Sequence, residues 1–245
     1  MLKIENTEVL GWDAAIRGMR NPLNSWEKSD SQFVRDPDYG CFGVCPCAEL
    51  VDCDCCHVGP NDLKLMNTLR NAGTDHRKFM RMITVYLDIT APLYWWKEFD
   101  TYKVGTVANS CSTMHKIADK EFTLEDFSHE HLLSMANNDA GDALFLNDAN
   151  NIRVDGDDLL GLIINVLNYY RLRYIKTKDK RYWWQLIQLL PSSYNQKRTV
   201  MLNYEVLANI YKSRRHHKLD EWHTLCDRIE SLPYSKLITG GVVDE

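Results

Sequence analysis

The stretch over residues 81–99, RMITVYLDITAPLYWWKEF, limits the possible folds more than any other part of the chain. Its β-branched and polar residues alternate as far as Thr90, which is the pattern of a strand with one buried face. Pro92 separates this strand from an aromatic-rich segment with the character of a helix. A strand that leads directly into a helix favours a mixed fold in which helices pack on a sheet.

Helical patterns dominate the remaining sequence. A first strand is predicted over residues 2–10, from the alternation in LKIENTEVL. Start signals, stop signals and apolar spacing predict helices over residues 11–19, 60–73, 155–174, 181–190, 195–217 and 219–232. Thr123 and Asp126 are candidate helix caps. The sequence therefore predicts a helix-rich fold of the α+β class, with one domain over residues 1–245.

Two of these helices carry expectations about their buried faces. The helix over 155–174 is predicted to bury a stripe of four residues, which are Leu159, Ile163, Val166 and Tyr170. The helix over 195–217 is predicted to bury Val200, Tyr204, Leu207 and Tyr211.

Composition and charge exclude several classes of protein. The 245 residues are 44% hydrophobic and 26% charged, with a net charge of −5, and the basic residues are scattered. A protein that binds nucleic acid usually concentrates its basic residues, so no nucleic-acid partner is expected. The longest apolar run, over residues 159–164, is far too short to span a membrane. We expect a cytoplasmic protein with no membrane contact.

A cysteine-rich segment interrupts the regular patterns. Six of the eight cysteines precede His57 within residues 41–56, and they are Cys41, Cys45, Cys47, Cys53, Cys55 and Cys56. In a reducing compartment, closely spaced cysteines are more often metal ligands than disulfides. Their spacing nevertheless departs from the paired C-x-x-C of common zinc modules. A structural metal bound by these cysteines and a loop of free thiols therefore both stay open, and residues 32–57 are predicted to be an inserted loop.

Generic chemical motifs are missing from the sequence. It contains no G-x-G-x-x-G, no G-x-x-x-x-G-K and no H-E-x-x-H. Small polar residues do cluster after the aromatic segment, and they are Thr106, Asn109, Ser110, Ser112 and Thr113. A surface turn with hydrogen-bonded hydroxyls and a binding site are both compatible with this cluster.

The order and spacing of several residues resemble a known family. Asn109 and Ser112 are separated as the asparagine and second serine of the signature R-H-R-x-x-S-x-N-x-x-S-x-R. His76 precedes the strand that ends in Ala-Pro. A second set repeats the C-terminal spacing of the same family, and it consists of Leu190, Pro191, Asn203, Asn209 and Arg214. In these features, which span the chain apart from residues 32–57, the sequence resembles the flavin-dependent thymidylate synthases, the ThyX family.

This resemblance implies a function and a set of site residues. It implies a ThyX-like, mixed α/β protomer with a small antiparallel sheet. It also implies a homotetramer that binds FAD between protomers and converts dUMP to dTMP, with methylene-tetrahydrofolate as carbon donor and NADPH as reductant. The implied flavin contacts are His76, Asn109, Asn203 and Asn209. The implied catalytic residue is Ser112, which would also face the nucleotide together with Arg214 and Lys103. Asn203 and Asn209 are expected in the middle of a helix, where asparagine is mildly unfavourable.

The chain also departs from the family pattern. The three arginines of the signature fall on Tyr102, Val104 and Met114, and two further arginines fall on Ile187 and Glu205. The cations that could compensate are Lys103, Lys97 and Arg81. Three functions therefore stay open, namely a divergent thymidylate synthase, a flavoenzyme that modifies another pyrimidine nucleotide, and a non-catalytic binding or structural protein.

Overall fold

The computed structural model describes residues 2–33, 56–134, 144–147 and 152–240. The strands of the described residues are β1 Lys3–Leu10, β2 Gln32–Phe33, β3 Cys56–His57, β4 Thr84–Pro92, β5 Val107–Ser110, β6 Leu144–Asn147, β7 Ile152–Val154 and β8 Asn195–Asn203. Their α-helices are α1 Trp12–Arg20, α2 Pro60–Asn71, α3 Leu93–Phe99, α4 Gly156–Thr177, α5 Lys180–Leu189, α6 Tyr204–Arg214, α7 Asp220–Glu230 and α8 Lys236–Thr239.

The main sheet has the strand order β1-β4-β8-β5 and is antiparallel. Two small antiparallel pairs, β2 with β3 and β6 with β7, lie outside it. The predicted α+β class with a small antiparallel sheet is confirmed. No helix in the described part of the chain is both long enough and apolar enough to cross a bilayer.

The residues group into two compact units. Among the described residues, one unit combines residues 2–33, 56–89, 99–109 and 198–240, and the other combines residues 90–98, 110–134, 144–147 and 152–197. We call them the sheet unit and the hairpin unit. The prediction of one domain over residues 1–245 stays a prediction.

In the sheet unit, helices cover strands whose side chains alternate between buried and partly buried. Along β4, Val85, Leu87 and Ile89 are buried, as the predicted alternation requires. β4 begins at Thr84, three positions later than the alternating pattern from residue 81 predicted. Trp222 of α7 and Tyr204 of α6 are fully buried, and they anchor these two helices.

A buried ion pair holds the start of this unit together. Arg20 is 3% exposed, Asp62 is 0% exposed, and Arg20 Nε lies 2.6 Å from Asp62 Oδ1. The carboxylate also accepts hydrogen bonds from the hydroxyls of Ser29 and Ser31. Asp30 in turn accepts from the backbone of α2 at Asp62. These contacts fix the polar segment before residue 32 onto the first turn of α2.

In the hairpin unit, α4 and α5 bury a second apolar cluster. Its centre is formed by Leu160, Leu167 and Leu186, which pack with Phe122 and Phe127. Asp155 caps α4 by accepting from the Asp158 backbone at 2.7 Å. Thr123 and Asp126 do form the predicted capping box, although the helix that they cap is only one turn of 3₁₀ helix, Leu124–Asp126.

The predicted stripe of α4 is partly wrong. Ile163 and Tyr170 pack against the cluster, whereas Leu159 is 48% exposed and the fully buried residue is Leu167. The helix carries apolar residues on more than one face, so two neighbouring stripes fit its periodicity equally well. Five large apolar side chains of α4 remain exposed, and they are Leu159, Leu162, Tyr169, Leu172 and Ile175.

The predicted helix over 195–217 is also wrong in its first half. Residues Asn195–Asn203 form β8, and the helix begins at Tyr204. Gln196, Val200 and Leu202 are buried while their neighbours are not, which is a two-residue period. Val200, Tyr204, Leu207 and Tyr211 are all buried as predicted, on two consecutive elements instead of one.

Candidate functional site

The first candidate residue, Asn203, lies at the junction of β8 and α6. It is the N-cap of α6, and its Oδ1 accepts a hydrogen bond from the Val206 backbone at 3.0 Å. The expectation that it lies in the middle of a helix is wrong, because the strand continues to this residue. Its oxygen is used to begin the helix, which leaves the amide nitrogen as the group that a ligand could engage.

The turn before β5 lies against the start of α6. Gly105 has φ +78°, and a Cβ at this position would lie 2.9 Å from Asn203 Nδ2. Glycine is therefore required here by both its backbone conformation and the close approach of Asn203. Lys103 is exposed in this turn, and Asn109 is exposed on β5.

Arg214 is the last residue of α6, and aromatic rings hold it in place. Its Nε donates to the Tyr102 hydroxyl at 3.0 Å, and its guanidinium lies 4.7 Å from the centre of the Trp222 ring. The side chain is half-buried. A cation stacked on tryptophan is oriented before any ligand arrives, and this distinguishes Arg214 from a charge that merely points into solvent at a helix end.

Asn209 lies on the exposed side of α6 and faces a cavity of about 260 Å³. The cavity is also lined by Arg70 at the end of α2 and by Arg77. His76, the neighbour of Arg77, is exposed and precedes the 3₁₀ helix Arg77–Arg81. The structure therefore brings Asn209 together with the segment that follows His76.

Glu205, where the family pattern has an arginine, is surrounded by other arginines. Arg77 Nε lies 3.2 Å from Glu205 Oε1, and Arg81 forms a second ion pair with the same carboxylate. Burial raises the pKa of the Glu205 carboxyl, but the hydrogen bonds from Arg81 and Arg77 outweigh it, so this pKa lies below its ordinary value of 4.5. Two arginines against one carboxylate restore a net positive charge at this position.

Ser112, in the hairpin unit, occupies a surface turn. Its hydroxyl oxygen accepts from the backbone of Met114 at 3.2 Å and of His115 at 3.0 Å. The surface-turn interpretation of this polar cluster thus describes the local geometry of Ser112. Its hydroxyl proton can still be donated to a ligand, since both of these hydrogen bonds use the oxygen as acceptor.

Sequence reasoning missed four basic residues of the cavity beside Asn209. They are Arg70, Arg77, Lys212 and Arg215. Arg77 is adjacent to the candidate His76, and the spacing of Lys212 and Arg215 places them on one face of a helix. These local signals do not reveal that residues more than 130 positions apart line the same cavity.

The six candidate metal ligands lie almost entirely outside the described residues. Only Cys56 is described, as part of β3 and without its side chain. Within residues 2–33, 56–134, 144–147 and 152–240, no three histidine, cysteine or acidic side chains are grouped closely enough to hold a metal. Cys111 and Cys226 are free thiols, and burial raises the pKa of Cys226 to about 11, which disfavours its thiolate form.

Comparison with known proteins identifies the fold. No family model and no curated protein matches the chain. The thymidylate synthase ThyX of Helicobacter pylori, with FAD and dUMP, is similar at a TM-score of 0.60 and 15% identity, over 98% of this chain and 97% of that one. A second structure of that enzyme with FAD and dUMP has a TM-score of 0.58 at 15% identity, over 97% and 96%.

A different enzyme shares the same architecture. The UMP/dUMP methylase PolB of Streptomyces cacaoi, bound with 5-Br UMP, is similar at a TM-score of 0.55 and 14% identity, over 98% of this chain and 92% of that one. The chain thus has a ThyX-like fold along nearly its entire length.

Proposed function

We propose that this protein is a flavin-dependent nucleotide methylase that converts dUMP to dTMP. Methylene-tetrahydrofolate would donate the carbon, and NADPH would reduce the bound FAD. The observation that carries the proposal is the fold shared over 98% of the chain with two kinds of enzyme, one crystallised with FAD and dUMP and the other a UMP/dUMP methylase. Fold alone does not determine function, so the residues of the site must also suit these ligands.

The candidate residues have the chemistry that a flavin dinucleotide and a nucleotide require. Exposed Asn209 and His76 would hold FAD, with Asn109 and the amide nitrogen of Asn203 as further contacts. Once reduced by NADPH, the bound flavin would supply the reducing equivalents. Arg214, stacked on Trp222, would hold the nucleotide phosphate, because an oriented guanidinium can donate two parallel hydrogen bonds to phosphate oxygens.

A second candidate function is the modification of another pyrimidine nucleotide on the same fold. The similarity to a methylase of both UMP and dUMP favours it. The absence of the signature arginines also favours this second function, because a site with fewer fixed cations is less selective for one particular nucleotide. The third possibility is a non-catalytic protein.

One set of measurements separates the three functions. The purified protein, or protein incubated with FAD, is expected to show flavin absorbance. It is then assayed with methylene-tetrahydrofolate and NADPH, with dUMP in one reaction and UMP in the other. Product from dUMP supports the first function, and product from UMP alone supports the second. A colourless protein that does not take up FAD would favour the non-catalytic function.

The exposed apolar side chains of α4 support assembly into the proposed homotetramer. The five residues, from Leu159 to Ile175, are each between 41% and 61% exposed. Several large apolar side chains exposed along one helix are typical of an interaction surface. Light scattering is expected to give the mass of four chains of 28.5 kDa. Introducing a charge by Leu172→Lys should shift the protein to smaller species, whereas the same change at the polar surface position Gln188 should not.

The cysteine-rich segment remains a candidate site for a structural metal. Elemental analysis of protein purified under reducing conditions would show stoichiometric zinc or iron if the six cysteines bind it. Replacing all six by serine should then lower the melting temperature. Metal-free protein with an unchanged melting temperature would contradict the proposed site.

A further inference from the structure

The cavity beside Asn209 concentrates positive charge in a protein whose net charge is −5. Arg70, Arg77, Lys212 and Arg215 line it, and His216 is a fifth basic residue there. The remaining lining includes Thr239 and Asn209, which can donate hydrogen bonds to an anion. Within residues 2–33, 56–134, 144–147 and 152–240, no aspartate or glutamate lines this cavity.

Contacts outside the cavity hold three of these cations in position. Arg70 Nε donates to the Leu237 carbonyl at 2.8 Å, and Arg215 forms an ion pair with Glu230 at 2.6 Å. Arg77 shares Glu205 with Arg81. By contrast, the exposed Lys212 has no ion pair with any residue that the structure describes.

The cations are only partly neutralised. Arg77, Arg81 and Arg215 share the two carboxylates of Glu205 and Glu230, while Arg70 and Lys212 add further positive charge. Burial, and then the nearby charge of Arg77, lower the pKa of Arg70. Two guanidinium groups that repel each other in a concave site would gain stability from an anion placed between them.

Helix dipoles explain only part of this arrangement. Arg70 lies in the last turn of α2 and Lys212 in the last turn of α6, where cations interact favourably with the helix ends. Arg77, however, belongs to the 3₁₀ helix that follows α2, and its charge faces the same cavity. Helix dipoles also do not explain why Arg70 and Arg77 lie close enough to repel each other.

We infer that this cavity binds a phosphate-bearing anion, and that a diphosphate is the chemical class that its cations fit best. A single phosphate can engage two cations at close range, whereas four cations around one cavity match the larger charge of a diphosphate. The diphosphate could belong to a dinucleotide such as FAD or be bound on its own. In the first case the inference rests on the proposed function, and in the second case it does not.

Isothermal titration of the full-length protein with sodium pyrophosphate tests the inference. Wild type should bind pyrophosphate, and the affinity should fall as NaCl is raised, because the contact is between charges. Lys212→Gln should weaken binding about tenfold, and Lys212→Glu should weaken it further. Lys64→Gln and Lys64→Glu are the matched controls, since Lys64 is exposed on α2 and does not line the cavity. These control variants should bind pyrophosphate as wild type does.

A parallel titration with FAD identifies the source of the diphosphate. If the Lys212 variants weaken both pyrophosphate and FAD binding, the cavity holds the diphosphate of the dinucleotide. If pyrophosphate binding depends on Lys212 while FAD does not bind at all, the cavity inference stands and the proposed flavin function fails. If FAD binds equally to wild type and the Lys212 variants, and pyrophosphate does not bind or binds all variants equally, the cavity inference is wrong.

Discussion

Arg214 offers the most direct test of the proposed substrate. Arg214→Ala removes the hydrogen bond to the Tyr102 hydroxyl and the stacking on Trp222. The hydrogen bond contributes about 1 kcal/mol and the stacking about 0.5–2 kcal/mol to stability. For a chain of this length, a loss of about 2 kcal/mol lowers the melting temperature by about 4–8 °C.

The effect on nucleotide binding should come in addition to this structural effect. A charge-assisted contact to phosphate contributes about 1.5–3 kcal/mol, so Arg214→Ala should weaken dUMP binding by about ten- to a hundredfold. Arg214→Lys should recover part of this loss, because lysine keeps the charge but lacks the fork that engages two oxygens. Tyr102→Phe removes only the hydrogen bond that orients the guanidinium, and it should weaken binding by about threefold.

Calorimetric titration of dUMP and thermal unfolding, measured on the same variants, separate binding from stability. Arg228→Ala on α7 is the control, since it removes an arginine that contacts neither Tyr102 nor Trp222 in the described structure. Arg215 is unsuitable as a control because it lines the cationic cavity. If Arg214→Ala lowers the melting temperature while dUMP binds as tightly as to wild type, Arg214 is a structural residue and the substrate assignment is wrong.

Three further predictions follow from other contacts. Asp62→Asn should destabilise the protein by about 3–5 kcal/mol in urea unfolding, because it leaves the buried Arg20 uncompensated; an effect below 1 kcal/mol would contradict this. Hydrogen bonds to Asp62 and Glu205 outweigh the effect of burial and hold the pKa values of both carboxyls below the ordinary 3.8 and 4.5. Both carboxylates therefore stabilise the fold at pH values above their ordinary pKa, and this stability is lost as the pH falls through the lowered pKa. Glu205→Gln should make the acid dependence of the melting temperature shallower, and an unchanged slope would refute the role of Glu205. Asn209→Ala should weaken FAD binding about tenfold in a fluorescence titration. Asn203→Asp should also weaken FAD binding, although it keeps the side-chain oxygen that caps α6. If both variants bind FAD as tightly as wild type, these residues do not belong to the flavin site.

The sequence was sufficient for most helices and strands because their signals are local. Alternation predicted β1 and β4, and a proline and a glycine bounded α2. β8 was missed because it runs directly into α6 without a turn. Its apolar residues continue into the helix at spacings of three and four positions, which is the pattern of one long helix. Tertiary contacts, not propensity, decided where the strand ends.

The candidate site was only partly predictable for the same reason. The family-like residues could be located by their spacing along the chain, but their surroundings could not. The capping role of Asn203 depends on where α6 begins, and the stacking of Arg214 depends on Trp222 of a different helix. The cationic cavity needs Arg70 and Lys212 to approach each other from distant parts of the sequence, which no local pattern records.

The ion pairs of Glu205 also limit how this chain could change during evolution. Replacing Glu205 by the arginine of the family pattern would place a third cation beside Arg77 and Arg81, without the carboxylate that now receives their hydrogen bonds. Because like charges in a partly buried cluster repel strongly, this single substitution should be far more harmful than the same substitution made together with changes at both arginines. The three positions are therefore energetically coupled, and an arginine at position 205 is not accessible by one step.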